Sequence, residues 1–186
     1  MVYAKVDFSK KIREWDGFGV NYVETAQTPD YEKDPQDYGG FSILSEDDRE
    51  TILDLIFSEN GLKPGIVKMF LDPFSQPSMP DLTYINDIDT VCLSLYDHAT
   101  TTRWMRYFVK EGLKRTRQRG GDLAIITTLY GPPGWMTLQK VIRGRDLDPQ
   151  FKVACAKYMV AWVKYLREVE ELPVKYISLH NEAVKK

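Results

Sequence analysis

Leu123-Ala124-Ile125-Ile126-Thr127-Thr128-Leu129, followed at once by Tyr130-Gly131-Pro132-Pro133-Gly134-Trp135, is the stretch on which the fold turns. Its isoleucines and threonines carry branched Cβ atoms that suit a pleated surface, so it reads as a strand. Gly-Pro-Pro-Gly breaks it sharply. Immediately upstream, residues 101–119 read as a long helix with Trp104, Phe108, Val109 and Leu113 on its buried face, stopped by Gly120-Gly121. Downstream, Asp148-Pro149 opens another helix with proline in its first turn, and Tyr158, Ala161, Trp162 and Tyr165 share one face. Pro173 then precedes a further strand over 174–179.

The same alternation extends towards the N-terminus. Ile66-Val67-Lys68-Met69-Phe70-Leu71 is a strand, and the prolines at 73, 77 and 80 make the next segment a loop. Before it, Ser45-Glu46-Asp47-Asp48 has the form of a capping box, with Ile52, Leu55 and Ile56 on one face and Asn60-Gly61 as a left-handed end. Gly17-Phe18-Gly19-Val20-Asn21-Tyr22-Val23 reads as a short buried strand, followed by a polar loop. Val2, Ala4, Val6 and Phe8 alternate in a strand-like way, with a turn at Lys10-Lys11 and a return over 12–15. Strands alternating with helices predict an α/β chain with a parallel sheet.

Composition narrows the function. The chain has 186 residues and 43% hydrophobic content, enough for one domain with a real core. A formal charge of -2 gives no field that gathers nucleic acid, and no stretch is long and apolar enough for a membrane span. The basic run Lys110, Lys114, Arg115, Arg117 and Arg119 reads as solvated cations complementing a helix C-terminus. Two histidines and two cysteines cannot build a multi-histidine metal centre or an all-cysteine zinc site, so neither metal nor cofactor is expected. Cys92 and Cys155 form no CxxC pair and read as small apolar groups. No apolar leader region follows Met1, and the compartment stays open. Gly17-x-Gly19 begins a dinucleotide fingerprint, but Tyr22 stands where its third glycine should be, so a strand packed closely through glycine is the better reading. Neither a P-loop nor a Gly-x-Ser-x-Gly elbow occurs.

In a parallel barrel, side chains at the C-terminal ends of strands line the active site. On that reading the strands offer Asn21 and Glu24, then Asp72, then Tyr130 and Trp135, then His180, Asn181 and Glu182. Aromatic rings, amides and carboxylates suit a sugar, which presents a C–H face and many hydroxyls. A carboxyl group beside the leaving oxygen supplies acid/base chemistry at a glycosidic bond.

Four segments carry a resemblance. Trp15-Asp16-Gly17-Phe18-Gly19, Leu55-Ile56-Phe57-Ser58-Glu59-Asn60-Gly61-Leu62, Gly131-Pro132-Pro133-Gly134-Trp135-Met136 and Ile177-Ser178-Leu179-His180-Asn181-Glu182 together resemble glycoside hydrolase family 30. That family includes glucosylceramidases and endo-acting β-glycanases. The resemblance implies a TIM (β/α)8-barrel fold, of which this chain would hold about the first four βα units. Residues 16–186 would be the N-terminal half of the barrel, and the strands within 1–15 a remnant of a companion β-sandwich. It implies Glu182 as general acid/base and Asn181 as the partner of the sugar 2-hydroxyl. It places Trp135 at a loop tryptophan that walls the cleft or packs in the core. Lys68 stands where glucosylceramidases have arginine, and Tyr130 where they have tryptophan. Lysine keeps the charge and loses the planar fork, which leaves the sugar open. Ala183 replaces a common proline. Lys68, Tyr130 and Asn21 complete the expected substrate contacts.

A retaining glycosidase needs a second carboxyl group about 5–5.5 Å from the first. In the family this nucleophile follows the seventh strand, so the expectation is a fragment with the acid/base but not the nucleophile. Glu24 and Asp72 are weak substitutes. An open sheet exposes an edge and interior side chains, which predicts self-association or completion by the other half. Family relatives are often secreted or lysosomal. The alternative is a non-catalytic carbohydrate-binding or assembly half-barrel.

Overall fold

The structure is a computed structural model that describes residues 2–12, 14–22, 40–71, 79, 91–142, 144 and 146–181. Among the described residues, four strands form one sheet: β1 (Gly19–Asn21), β2 (Ile66–Leu71), β3 (Ala124–Leu129) and β4 (Val174–Ser178). All neighbours are parallel, and the spatial order is β1-β2-β3-β4, the same as the chain order. A doubly wound sheet reverses its strand order at a switch point. The order here does not reverse, which is compatible with part of a TIM barrel.

Among the described residues, three α-helices accompany the sheet: α1 (Glu46–Phe57), α2 (Arg103–Gln118) and α3 (Lys152–Lys164). The Ser45 side chain caps α1 by accepting from the Asp48 amide at 3.2 Å. Gly120, at φ 76°, ends α2; its amide bonds Arg117 O, and the Gly121 amide bonds Thr116 O. That pair of bonds is a Schellman end, which needs a left-handed residue at this position. Asp148 caps the turn Pro149–Phe151 that leads into α3. After α3 the chain continues as a π-helical turn, Tyr165–Val169.

The helices gather on one face of the sheet. Val67, Met69, Leu71, Ile125 and Leu129 alternate on that face and are buried with Leu53, Phe57, Phe108, Val109, Tyr158 and Trp162. The Trp162 indole donates to Thr127 Oγ1 at 2.7 Å, so α3 sits directly over β3. Arg115, whose side chain is only 11% exposed, donates to Glu50 at 2.5 Å, Asp54 at 2.7 Å and Glu111 at 2.5 Å, and so ties α1 to α2. Glu170 receives Arg106 and Lys110. The basic run is therefore largely engaged in intramolecular pairs, with Lys114 also beside Glu111.

The opposite face is less covered. Ile66, Ala124 and Ile126 are only half-buried there and Tyr176 on β4 is exposed, whereas Phe70 and Thr128, nearer the strand ends on the same face, are buried. Ile177, on the helix side of β4, is exposed as well. Parallel strands normally bury both faces, so β4 is uncovered on two sides among the described residues.

Several sequence expectations change here. No strand occurs among the described residues of 2–18, and Val2, Tyr3, Val6, Phe8 and Ile12 are exposed. Alternation needs a partner ladder to become a strand, and none of the described strands provides one. The first sheet strand is shorter than expected, three residues in length. Asn60-Gly61 is not a left-handed cap; Ser58 ends α1 in an extended conformation, and Lys63 (φ 52°) is the left-handed residue. Gly61 serves close approach instead, because a Cβ there would lie 2.6 Å from the carbonyl oxygens of Asp54 and Leu55. Gly19 plays the expected packing role: a Cβ would stand 3.0 Å from Ile66 Cβ on the neighbouring strand. Both cysteines are free, Cys155 buried and Cys92 half-buried. Among the described residues, no helix is long and apolar enough to cross a membrane.

Candidate active site

The C-terminal ends of the strands bring together four of the expected residues. Register pairs Asn21 with Lys68 across β1 and β2. Residues paired in this way point their side chains to the same face, here the less covered one. Lys68 reaches past β3 and donates from Nζ to Asn181 Oδ1 at 2.8 Å. Lys68 Nζ also stands over the Phe70 ring, 4.9 Å from its centroid. Phe70 meets Tyr130 edge to face at 5.3 Å. The site thus combines the Phe70 and Tyr130 rings, the Lys68 cation and the Asn181 amide it holds, with Asn21 beside Lys68 on the next strand.

The backbone fixes these positions beyond the strands themselves. The Tyr130 amide donates to Leu71 O at 3.3 Å, and the Asn181 amide donates to Leu129 O at 3.0 Å. Both bonds continue the parallel ladders after the last strand residue, so Tyr130 and Asn181 are held as rigidly as the sheet. The short strand bonds explain why a site on adjacent strand ends needs no loop to assemble. His180 stands exposed, with Nδ1 2.6 Å from Asn181 O.

Trp135 has a ring contact of its own. Its ring packs edge to face on Phe151 at 5.1 Å, between the turns Gly134–Met136 and Pro149–Phe151. Glu182, Glu24 and Asp72 lie outside the described residues. Among the described residues, no group of three or more histidine, cysteine or acidic side chains could hold a metal ion.

Two features escaped sequence reasoning. His98 is 2% exposed, and neither ring nitrogen has a hydrogen-bond partner among the described residues. It packs among Tyr96, Tyr158, Trp162 and Tyr165. Burial pushes its pKa down to about 4, against a raising effect of Asp97, and Arg106 lowers it further. The Arg115 network is the second, because its carboxylate partners on α1 lie about sixty residues away.

No protein-family model matches the chain, and no curated protein matches it in sequence. Solved structures match it in shape. SrfJ from Salmonella typhimurium aligns with TM-score 0.60 at 17% identity, over 93% of this chain and 35% of that one. A conserved exported protein from Bacteroides fragilis gives 0.56 at 18% identity, over 95% and 36%. The catalytic domain of GH30 xylanase C from Talaromyces cellulolyticus gives 0.58 at 14% identity, over 94% and 38%. The fold is similar to that of a glycoside hydrolase catalytic domain. At these identities the likeness is one of fold, and the chain spans little more than a third of the length of the structures it matches.

Proposed function

We propose that the chain is a catalytic-domain fragment of a retaining glycoside hydrolase acting on β-linked sugars, related to family 30. The observation that carries the reading is the meeting of Lys68, Tyr130 and Asn181 at the C-terminal edge of a sequentially ordered parallel sheet. The sheet is the opening part of a (β/α)8 barrel, residues 16–186 its N-terminal half.

In this reading Asn181 donates to the sugar 2-hydroxyl, Tyr130 offers its ring to a sugar face, and Asn21 borders the cleft. Trp135 supports the loop that frames it. Glu182, next in sequence to Asn181, delivers a proton to the leaving oxygen and afterwards takes one from water. The nucleophilic carboxylate comes from elsewhere than the strands described. The less covered face is closed by a second copy or by the other barrel half. The other reading, a carbohydrate-binding or assembly half-barrel, keeps the sugar contacts without turnover; the uncovered face of β4 favours it.

Hydrolysis of aryl β-glycosides, with azide as a replacement nucleophile, separates the two. Azide forms the new bond at the anomeric carbon, the glycosidic C–O bond breaks, and Glu182 protonates the departing oxygen. Azide-dependent aryl release that Glu182→Gln abolishes for poor leaving groups supports the catalytic reading. Saturable sugar binding with no release in either protein supports the binding module. Absence of both binding and release overturns both.

A further inference from the structure

Asn181 faces an ammonium group on one side and has no hydrogen-bond partner for its Nδ2 among the described residues. An amide side chain can be turned either way round with little change in shape, and its two faces differ only in which end donates. Lysine settles the choice. Its ammonium has three donors and no acceptor, so only the carbonyl end of the amide can face it. The backbone of Asn181 is fixed by its bond to Leu129 O, which leaves the side-chain torsions as the remaining freedom.

We infer that Lys68 is a positioning residue for Asn181: it holds Oδ1 and thereby commits Nδ2 to donate to the ligand. This inference rests on the proposed sugar site and deepens it by assigning its polarity. Asn181 recognises an acceptor oxygen, and Lys68 acts on the ligand through Asn181. Lys68 is suited to this task because it is half-buried, where a charge-assisted bond is stronger than at the surface. The Phe70 ring beneath Nζ limits where the ammonium can go.

Two measurements on the 186-residue chain test it. The first needs no ligand. Selective 15N labelling of asparagine, with the Asn181 side-chain signals identified by Asn181→Asp, reports the Nδ2 protons directly. Lys68→Met is expected to move or broaden these signals, and Lys68→Arg to leave them in place. Unmoved signals in Lys68→Met overturn the inference.

The second compares affinity for an aryl β-glycoside with that for its 2-deoxy analogue. The native chain is expected to prefer the 2-hydroxyl compound about 5- to 10-fold, the worth of one hydrogen bond. Lys68→Met is expected to bring the ratio to near one, and Lys68→Arg to keep it. Asn181→Asp keeps the contact to Lys68 but cannot donate, and is expected to lose the preference too. A preference that survives Lys68→Met overturns the inference. Signals that shift as expected, in a chain that binds no glycoside, leave the Lys68–Asn181 clamp standing and sink the proposed function instead.

Discussion

Lys68 Nζ and Asn181 Oδ1 stand 2.8 Å apart although 113 residues separate them in sequence and strand β3 runs between them. The contact exists because Lys68 lies on the less covered face of β2 and Asn181 is bonded to the last residue of β3. It links the two flanks of the candidate site over the strand in the middle. A long, straight side chain is needed to span that gap, and a shorter polar residue at position 68 would leave the amide unclamped.

His98 makes stability depend on acid. Its folded pKa of about 4 lies below the ordinary 6.5, so folding favours the neutral ring. The stabilisation is complete above pH 6.5 and is lost as pH falls from there to 4. The size is roughly 3 kcal/mol, from 1.36 kcal/mol per unit. Urea unfolding at pH 7 and pH 4.5 is expected to show this loss, and His98→Phe to flatten it.

Arg115 is the bolt between α1 and α2. Arg115→Met leaves three carboxylates facing one another across the gap. Glu50 and Asp54 are substantially exposed, which moderates the penalty. Denaturant titration should show a loss of about 1–2 kcal/mol, reduced at high salt.

Gly112 sets two effects against each other. Alanine in mid-helix is worth about 1 kcal/mol over glycine. Here a Cβ would lie 2.7 Å from the Phe57 ring, and that ring is fully buried and cannot withdraw. Overpacking costs about 1–3 kcal/mol, so Gly112→Ala is expected to lower Tm in spite of the better helix former.

Trp162→Phe is expected to cost about 1–3 kcal/mol in the same assay. The indole is fully buried and is the donor to Thr127 Oγ1, which would lose that bond and gain a void.

β4 carries apolar side chains in water on both sides, Tyr176 at 48% and Ile177 at 46% exposure. Sedimentation is expected to show concentration-dependent self-association of the chain, which Tyr176→Lys and Ile177→Lys together should suppress. A monomer at every concentration would count against closure by a second copy.

The strands of the sheet are legible because each is an apolar run bounded by turn residues. The bounds of Ile66–Leu71 agree to the residue between sequence and structure, and those of Ala124–Leu129 to within one. Residues 2–15 mislead because alternation describes a strand only when a neighbour supplies its ladder, and sequence does not show neighbours. Gly61 misleads because glycine answers two needs, a left-handed backbone or a close approach, and the second depends on carbonyls in the helix before it. Arg115 and His98 are illegible for a related reason: burial of a charged or titratable group depends on packing partners distant in sequence. The resemblance of the chain's segments names Lys68 and Asn181 as candidates, but the bond between them is not legible in the sequence.

The most direct test of the account is a two-dimensional NMR titration of the chain with aryl β-glycosides. The account predicts saturable shifts centred on Asn21, Lys68, Tyr130 and Asn181, abolished by Asn181→Ala. Saturable shifts centred elsewhere, or none with any β-linked sugar in a folded chain, would contradict it.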